Sequence, residues 1–501
     1  MPIDIPPRLN LSGHCLGRAA QASPHKVALK IVGDVSSGPE TWTFAALDIA
    51  VRRVAAGLLA EGLRPGDHLL LRLPNNSDYA LLFFGAIAAG LVPIPISSQL
   101  TDGEAAVLLE DSAAAAVAIA GDVQVRASGV RILGSVDLLR VKAAAPLPGY
   151  ADTAAEDPAY MIYTSGTSGR PKGVVHAHRV VLGREPMRRD WQAIGADDVM
   201  LHAGAFNWSY TLGVGLLDPW SVGGTAVLYV GPRDIEIWPT LIRSSGATLF
   251  AAVPSLYRQI LKYCVLERAD FKAIRHCLAA GEAMSPAIHD AWVEATGREL
   301  YEALGMSECS TFVSSGPGVP IRPGSAGKPQ HGRRIAILPI EGGTTPLPPG
   351  EVGLLAIHRS DPGLMLGYWQ RPDENALTTR GDWFIGGDLA TLDADGYLFH
   401  RGRADDTMNA GGYRVSPVEV EDALADCAGV AEVGVAERRV RPDVSIIAAY
   451  VVRGPGSAIE ENDVLEHAAS RLAAYKRPKQ VIFLEALPRS ANGKLLRRQL
   501  A

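Results

Sequence analysis

Cysteine is scarce in this 501-residue chain, and the pattern of the five present excludes two architectures. Cys15, Cys264, Cys277, Cys309 and Cys427 are odd in number and widely spread. They make neither a zinc spacing nor a disulfide framework. They read as small buried hydrophobes in a reducing compartment. A charge excess is also missing: 48 Lys and Arg stand against 54 Asp and Glu, a net charge of −6. That argues against a nucleic-acid partner or a general membrane-binding surface. Residues 1–14 hold Pro6, Pro7 and Arg8 but no apolar core, unlike a signal peptide. Only residues 79–96 are apolar enough to raise the question of a membrane span, and Gly85, Gly90, Pro93 and Pro95 interrupt them. A buried helix followed by a buried strand explains that stretch better. The expectation is a cytoplasmic protein with no membrane span.

What is present is ample core material, 47% hydrophobic residues, in a chain long enough for more than one domain. Residues 43–63 place Phe44, Leu47, Val51, Val54, Leu58 and Leu59 at helical spacing. Apolar strands at 68–73, 92–96 and 115–119 alternate with helices, which predicts a parallel sheet covered on both faces. A helix is expected over 180–190, then strands at 199–202, 223–230, 247–253, 277–280 and from 300 onward. Two strands end in Gly281-Glu282 and Gly305-Met306-Ser307-Glu308, and parallel-strand ends line ligand crevices. From Gly324 the strands become short and Gly-punctuated, as in a barrel-like subdomain. Ser416-Pro417-Val418-Glu419 has the form of a capping box opening a helix. Beyond it, strands at 430–436, 446–452 and 481–484, with a helix at 461–474, predict a small α+β domain. The predicted fold is therefore α/β: a large N-terminal domain, residues 1–404, and a small α+β C-terminal domain, residues 405–501.

One stretch suits a polyphosphate. Tyr163-Thr164-Ser165-Gly166-Thr167-Ser168-Gly169-Arg170-Pro171-Lys172-Gly173 combines glycines, hydroxyls and two cations after an apolar strand. Glycines let backbone N–H groups approach an anion, and the hydroxyls and cations add donors and charge. It is not a Walker loop, because it has no Gly-Lys-Ser/Thr and Val174-Val175 begins a strand. A flexible Gly/Ser turn is the competing reading.

This loop, Gly-Met-Ser-Glu at 305–308, Gly387-Asp388, Arg401-Gly402-Arg403-Ala404-Asp405-Asp406, Gly411-Gly412-Tyr413-Arg414 and Asn492-Gly493-Lys494 occur in order across more than half the chain. Together they resemble the adenylate-forming superfamily of acyl-CoA synthetases, peptide-synthetase adenylation domains and luciferases. The resemblance implies a carboxylate–CoA ligase. A carboxylate attacks the α-phosphate of ATP to give acyl-adenylate and pyrophosphate, and coenzyme A then takes the acyl group.

The resemblance also implies site residues. Thr164, Ser165, Gly166, Thr167, Ser168, Gly169 and Lys172 would cradle the β- and γ-phosphates. Glu308 would hold Mg²⁺. Gly281, Glu282 and Ala283, with Glu302, Ala303, Leu304, Gly305, Met306 and Ser307, match the adenine-side segments. Asp388 matches the acid on the ribose hydroxyls and Arg403 the arginine near ribose and phosphate. Asp405 matches the hinge. Lys494 matches the catalytic lysine between the acyl carboxylate and the α-phosphate. Gly411, Gly412, Tyr413, Arg414 and Arg477 fall on the coenzyme A side.

The acyl pocket is expected from Phe206, Trp208, Ser209, Tyr210, Gly281, Leu304, Gly305 and Met306. His202 and His276 read as structural histidines. Leu217-Asp218-Pro219-Trp220 looks like medium-chain ligases, and residues 305–312 like benzoate-type ones. An aromatic, alicyclic or short- to medium-chain monocarboxylic acid follows. The alternative is a stand-alone adenylation enzyme that loads a carrier protein. Ala205-Phe206-Asn207 offers no acid for a substrate amine, and loss of Lys494 or Glu308, expected of a non-catalytic binding protein, is not seen. The acid's identity and the oligomeric state, monomer or homodimer, stay open at this level.

Overall fold

The computed structural model describes residues 3–33, 38–120, 125, 129–164, 171–232, 234–404, 408–410, 413–441, 444–489 and 495–500. The chain divides into two compact units, residues 1–334 with 358–382 and residues 335–357 with 383–501.

In the first unit, nine strands of the described residues form one sheet. Its middle is parallel, in the order Leu300–Met306, His276–Ala280, Leu249–Ala252, Val199–His202, Thr225–Tyr229, Val27–Val32. Antiparallel strands close both edges, Ser310–Ser314 then Lys328–Pro329 on one side and Glu40–Thr43 on the other. A second, all-parallel sheet runs Val92–Pro95, His68–Arg72, Ala116–Ile119, Arg131–Leu133. A third, antiparallel sheet joins Gly367–Tyr368, Lys172–Ala177 and Pro158–Thr164.

Local chemistry explains the helices on these sheets. Thr43 caps the helix Phe44–Ala60 by accepting from the Ala46 N–H, and Leu47, Val51, Val54 and Leu58 form its buried stripe. The helix Ser77–Ala88 is apolar all round and almost wholly buried, as a core helix and not a span. Gly85 lets the two helices touch, since a Cβ there would sit 2.3 Å from Val54 Cγ1. Among the described residues no helix is long and apolar enough to cross a membrane. All five cysteines are free; four are buried and Cys264 is half-buried.

The second unit holds the strands Ile335–Leu338, Gly353–His358, Trp383–Leu392 and Leu398–Arg403, antiparallel at 335–338 with 353–358 and at 383–392 with 398–403. It also holds Val430–Arg441 antiparallel to Val444–Arg453, with Gln480–Leu484 parallel to the latter. The helices Pro417–Leu424 and Glu461–Arg471 pack there, with Val420, Leu424, Val464 and Ala468 in a core made wholly of residues beyond 404. The expected boundary after Ala404 thus falls inside this unit.

Three local expectations are corrected. The 180–190 helix is broken into Val180–Gly183, Glu185–Met187 and a π-turn Arg188–Gln192. Gly183 lies against the Gly363 backbone, where a Cβ would have 2.2 Å of room. Pro186 lies in the first turn of the next piece. Ser416 does precede the helix Pro417–Leu424 but does not cap it; its hydroxyl donates to the Arg401 carbonyl at 2.5 Å. The helix expected over 461–474 ends at Arg471.

Candidate active site

Thr164 and Lys172 face each other as the last cross-strand pair of an antiparallel hairpin. The Gly-rich segment therefore joins two paired strands, and a strand, not a helix, follows it at Lys172–Ala177, unlike a Walker loop. Ser165, Gly166, Thr167, Ser168 and Gly169 lie outside the described residues. Lys172 forms an ion pair with Glu374, and its ammonium lies 5.4 Å from the Tyr368 ring centroid.

Glu308 sits in the turn after the strand Leu300–Met306. The chain reverses there, Met306 pairs with Ser310, and Ser310 takes φ of +64°. The turn is held from three sides. His176 Nε2 bonds the Ser307 carbonyl at 2.8 Å, the Met365 N–H donates to the Glu308 carbonyl at 2.7 Å, and the Tyr368 hydroxyl donates to Glu308 Oε1 at 2.7 Å. Burial lowers His176 to about 4, so the ring is neutral and Nε2 carries the donating hydrogen.

At the neighbouring strand ends, Gly281 takes φ of +94°, and a Cβ there would lie 2.9 Å from the Trp208 ring. The Glu282 carboxylate is used structurally: it accepts from Ser255 N–H at 3.0 Å and Ser255 Oγ at 3.1 Å, at the start of the helix Pro254–Tyr263. Ala283 is exposed. Glu302 accepts from Met284 N–H at 3.1 Å. Burial pushes its carboxyl up to about 8, against the lowering effect of that bond. Ala303 is buried, Leu304, Met306 and Ser307 are half-buried, and Gly305 is exposed.

The expected acyl segment divides in two. The Phe206 ring is 1% exposed and stacks on Tyr79, centroids 5.5 Å apart, deep in the main core. Trp208 is half-buried and meets Tyr210 edge-on at 5.3 Å. Trp208 and Tyr210 share a hydrophobic cluster with Ala280 and Ala303, which ties the segment to two strand ends. The Tyr210 hydroxyl faces the carbonyls of Ala252 and Leu278, each at 3.4 Å. Ser209 opens the short helix Ser209–Leu212. His276 bonds the Gln192 carbonyl at 2.9 Å, and His202 accepts from Gly204 N–H at 3.0 Å, both structural bonds.

In the second unit, Asp388 and Arg403 are cross-strand partners with 3.8 Å between Oδ2 and Nη1. His400 Nε2 lies 3.0 Å from Asp388 Oδ1. Gly387 takes φ of +86°, and a Cβ there would lie 3.0 Å from Arg403 Nη2. Arg477 donates to the Leu472 carbonyl at 2.8 Å. Tyr413 and Arg414 lie on a strand that pairs with Met408–Ala410. Asp405, Gly411, Gly412 and Lys494 lie outside the described residues.

Sequence reasoning missed Tyr368, Glu374, His176 and His400. None belongs to a recognisable run; each is found only through its contact with a residue of one. Among the described residues, no group of three or more His, Cys, Asp or Glu could hold a metal by itself. A single carboxylate such as Glu308 still fits Mg²⁺, which keeps waters and takes its other ligands from substrate phosphates.

Two paired strands joined through the Gly-rich segment, acidic strand ends beside the Trp208–Tyr210 pair, and a distinct α+β carboxyl-terminal core are the arrangement of an adenylate-forming enzyme. The chain belongs to the AMP-binding enzyme family: the family pattern matches residues 16–369, and the AMP-binding enzyme C-terminal domain matches residues 419–494. It is 32% identical to the mitochondrial acyl-coenzyme A synthetase ACSM5 of Mus musculus over 93% of this chain and 85% of that one. It is 28% identical to the 3-hydroxybenzoate–CoA ligase of Aromatoleum sp. (strain CIB) over 92% and 91% of the two chains. A benzoate CoA ligase structure from Burkholderia xenovorans LB400 aligns with a TM-score of 0.88 at 29% identity, covering 98% of this chain and 99% of that one.

Proposed function

We propose that this enzyme joins a compact apolar monocarboxylic acid to coenzyme A, with aromatic and alicyclic acids preferred and short- to medium-chain acids second. The enzyme is an ATP-dependent acid–CoA ligase. The carboxylate attacks the α-phosphate, pyrophosphate leaves, and the coenzyme A thiol displaces AMP from the acyl-adenylate.

The observation that carries the acid class is the Trp208–Tyr210 pair beside side-chain-free Gly281. Aromatic walls offer a flat slot with large apolar contact. Segments 203–210 and 303–306 hold no Lys or Arg for a second carboxylate. The aromatic-acid ligases among the relatives support the same choice.

Attack on phosphorus puts charge on the phosphate oxygens, so cations supply most of the catalysis. Thr164, the loop that follows it and Lys172 would bind the β- and γ-phosphates. Glu308 would hold Mg²⁺, which neutralises that charge when bound. Glu302 and its neighbours would take the adenine side, Asp388 the ribose and Arg403 the ribose and phosphate. Lys494 would meet the acyl carboxylate. Residues 405–501 would act as the carboxyl-terminal domain with Asp405 at its start, which their separate core supports.

The test is a panel of benzoate, cyclohexanecarboxylate, hexanoate, malonate and amino acids with ATP and coenzyme A, reading AMP release. One or more of the first three should lead, with neighbours in size separated by roughly 1–3 kcal/mol. Trp208→Ala should shift preference to bulkier acids. Malonate or an amino acid ahead of all three would contradict the assignment.

A further inference from the structure

Tyr368 lies in none of the recognised motifs, yet three elements of the first unit meet on it. Its short strand, Gly367–Tyr368, pairs antiparallel with the strand that follows the Gly-rich loop, Tyr368 opposite Val174. The N–H groups of Leu366 and Trp369 donate to Val175 and Gly173 carbonyls at 2.8 and 2.7 Å. Asn375 closes the other edge. Its Oδ1 accepts from the Tyr368 N–H at 2.7 Å, and its Nδ2 donates to the Tyr368 carbonyl at 3.1 Å. Gly367 leaves room for this, since a Cβ there would stand 3.1 Å from Asn375 Oδ1.

The side chain is thus aimed from a fixed backbone. Its hydroxyl donates to Glu308 Oε1 at 2.7 Å. Its ring has the Lys172 ammonium 5.4 Å from the centroid, and Glu374, six residues on, pairs with that ammonium. One phenol therefore meets both the Glu308 carboxylate and the Lys172 ammonium.

We propose that Tyr368 is a positioning residue for adenylation. Its O–H occupies Oε1 of Glu308, which fixes the carboxylate plane and would leave the other oxygen to hold Mg²⁺ when it binds. Its ring seats the Lys172 ammonium by cation–π attraction. The spacing between the metal-holding carboxylate and the phosphate-facing cation is then set before ATP arrives. This rests on the reading of Glu308 and Lys172 as those two groups.

The test compares Tyr368→Phe, Glu308→Gln and the double variant. Three quantities are read: the Mg²⁺ dependence of ATP–pyrophosphate exchange, Mn²⁺ binding in the presence of ATP by electron paramagnetic resonance, and the melting temperature. Tyr368→Phe keeps the ring and loses only the hydroxyl. It should raise the half-saturating Mg²⁺ and the Mn²⁺ dissociation constant about tenfold, as the loss of an outer-shell partner does. The melting temperature should hold, and the substitution should add nothing further in the Glu308→Gln background. Tyr368→Leu, which also removes the ring, should in addition raise KM for ATP.

Unchanged metal dependence in Tyr368→Phe, with a shifted one in Glu308→Gln, would overturn the proposal and leave the Glu308 reading standing. Equal losses from Tyr368→Phe in both backgrounds would overturn it too. A Glu308→Gln enzyme with the wild-type Mg²⁺ titration would remove Glu308 from the metal and take this proposal with it. Equal ATP KM values in the Phe and Leu variants would overturn the role of the ring.

Discussion

Glu302 ends up with a carboxyl that burial holds near 8 against an ordinary 4.5, although Met284 donates a backbone hydrogen bond to it. The native state therefore binds this proton more tightly than the unfolded chain does. The group's contribution to stability is fully present below about 4.5 and is lost as pH rises toward about 8. Glu302→Gln keeps an oxygen for Met284 and cannot ionise. Its melting temperature should match wild type near pH 5 and exceed it at pH 8.5, by the equivalent of a few kcal/mol at most. A constant offset at both pH values would contradict this reading. Glu308 stands inside a recognisable Gly-Met-Ser-Glu run and could be picked out from sequence. Its partner Tyr368 could not, because 60 residues separate them and they are brought together by the pairing of Gly367–Tyr368 with the loop's outgoing strand and by the Met365–Glu308 backbone bond. Phe206 shows the converse case. Three aromatics in five residues suggested one wall, but Phe206, in the turn before the helix Ser209–Leu212, stacks on Tyr79 in the core while Trp208 stays half-buried.

The strand Leu300–Met306 and its antiparallel neighbour carry the element-scale argument. The register shifts between Leu304 and Gly305, and the backbones close in at that point. A Cβ on Gly305 would lie 2.6 Å from the Ser310 carbonyl oxygen and 2.8 Å from Thr311 Cα. Both are main-chain atoms, so the hairpin itself must give. Gly305→Ala should cost roughly 1–3 kcal/mol of stability. It should also weaken Mg²⁺ dependence by displacing Glu308. Gly103→Ala is the control: it sits in the helix Asp102–Asp111 with nothing within 4 Å of its Cβ, and should be neutral or slightly stabilising. A Gly305→Ala enzyme with wild-type melting and Mg²⁺ titration would contradict the account. The parallel strands were legible because they are short apolar runs between helices. The break at Arg188–Gln192 was not, because apolar spacing over 180–190 does not register the Gly363 backbone packed on Gly183. The Ser416 cap failed for a related reason: the Arg401 carbonyl, fifteen residues earlier, takes its hydroxyl.

At the scale of the whole molecule, the ordered motifs made the enzyme class readable, since the chemistry needs each residue type in its own place. The grouping of the chain into compact units is a separate matter. Residues 335–357 and 383–404 join the unit that contains the carboxyl-terminal core, a long-range association that no local composition reports. The central claim is a ligase working in two separable half-reactions, with Lys494 serving only the first. On the proposed reading its charge would act where the acyl carboxylate meets the α-phosphate, and thioester formation from a ready-made adenylate would have no such need. The most direct measurement is therefore Lys494→Ala assayed separately for ATP–pyrophosphate exchange and for conversion of supplied acyl-adenylate with coenzyme A. Exchange should fall about a thousandfold, the scale of one lost charge contact to the reacting phosphate, while thioester formation stays near wild type. Equal loss of both half-reactions, or exchange that persists, would contradict the account.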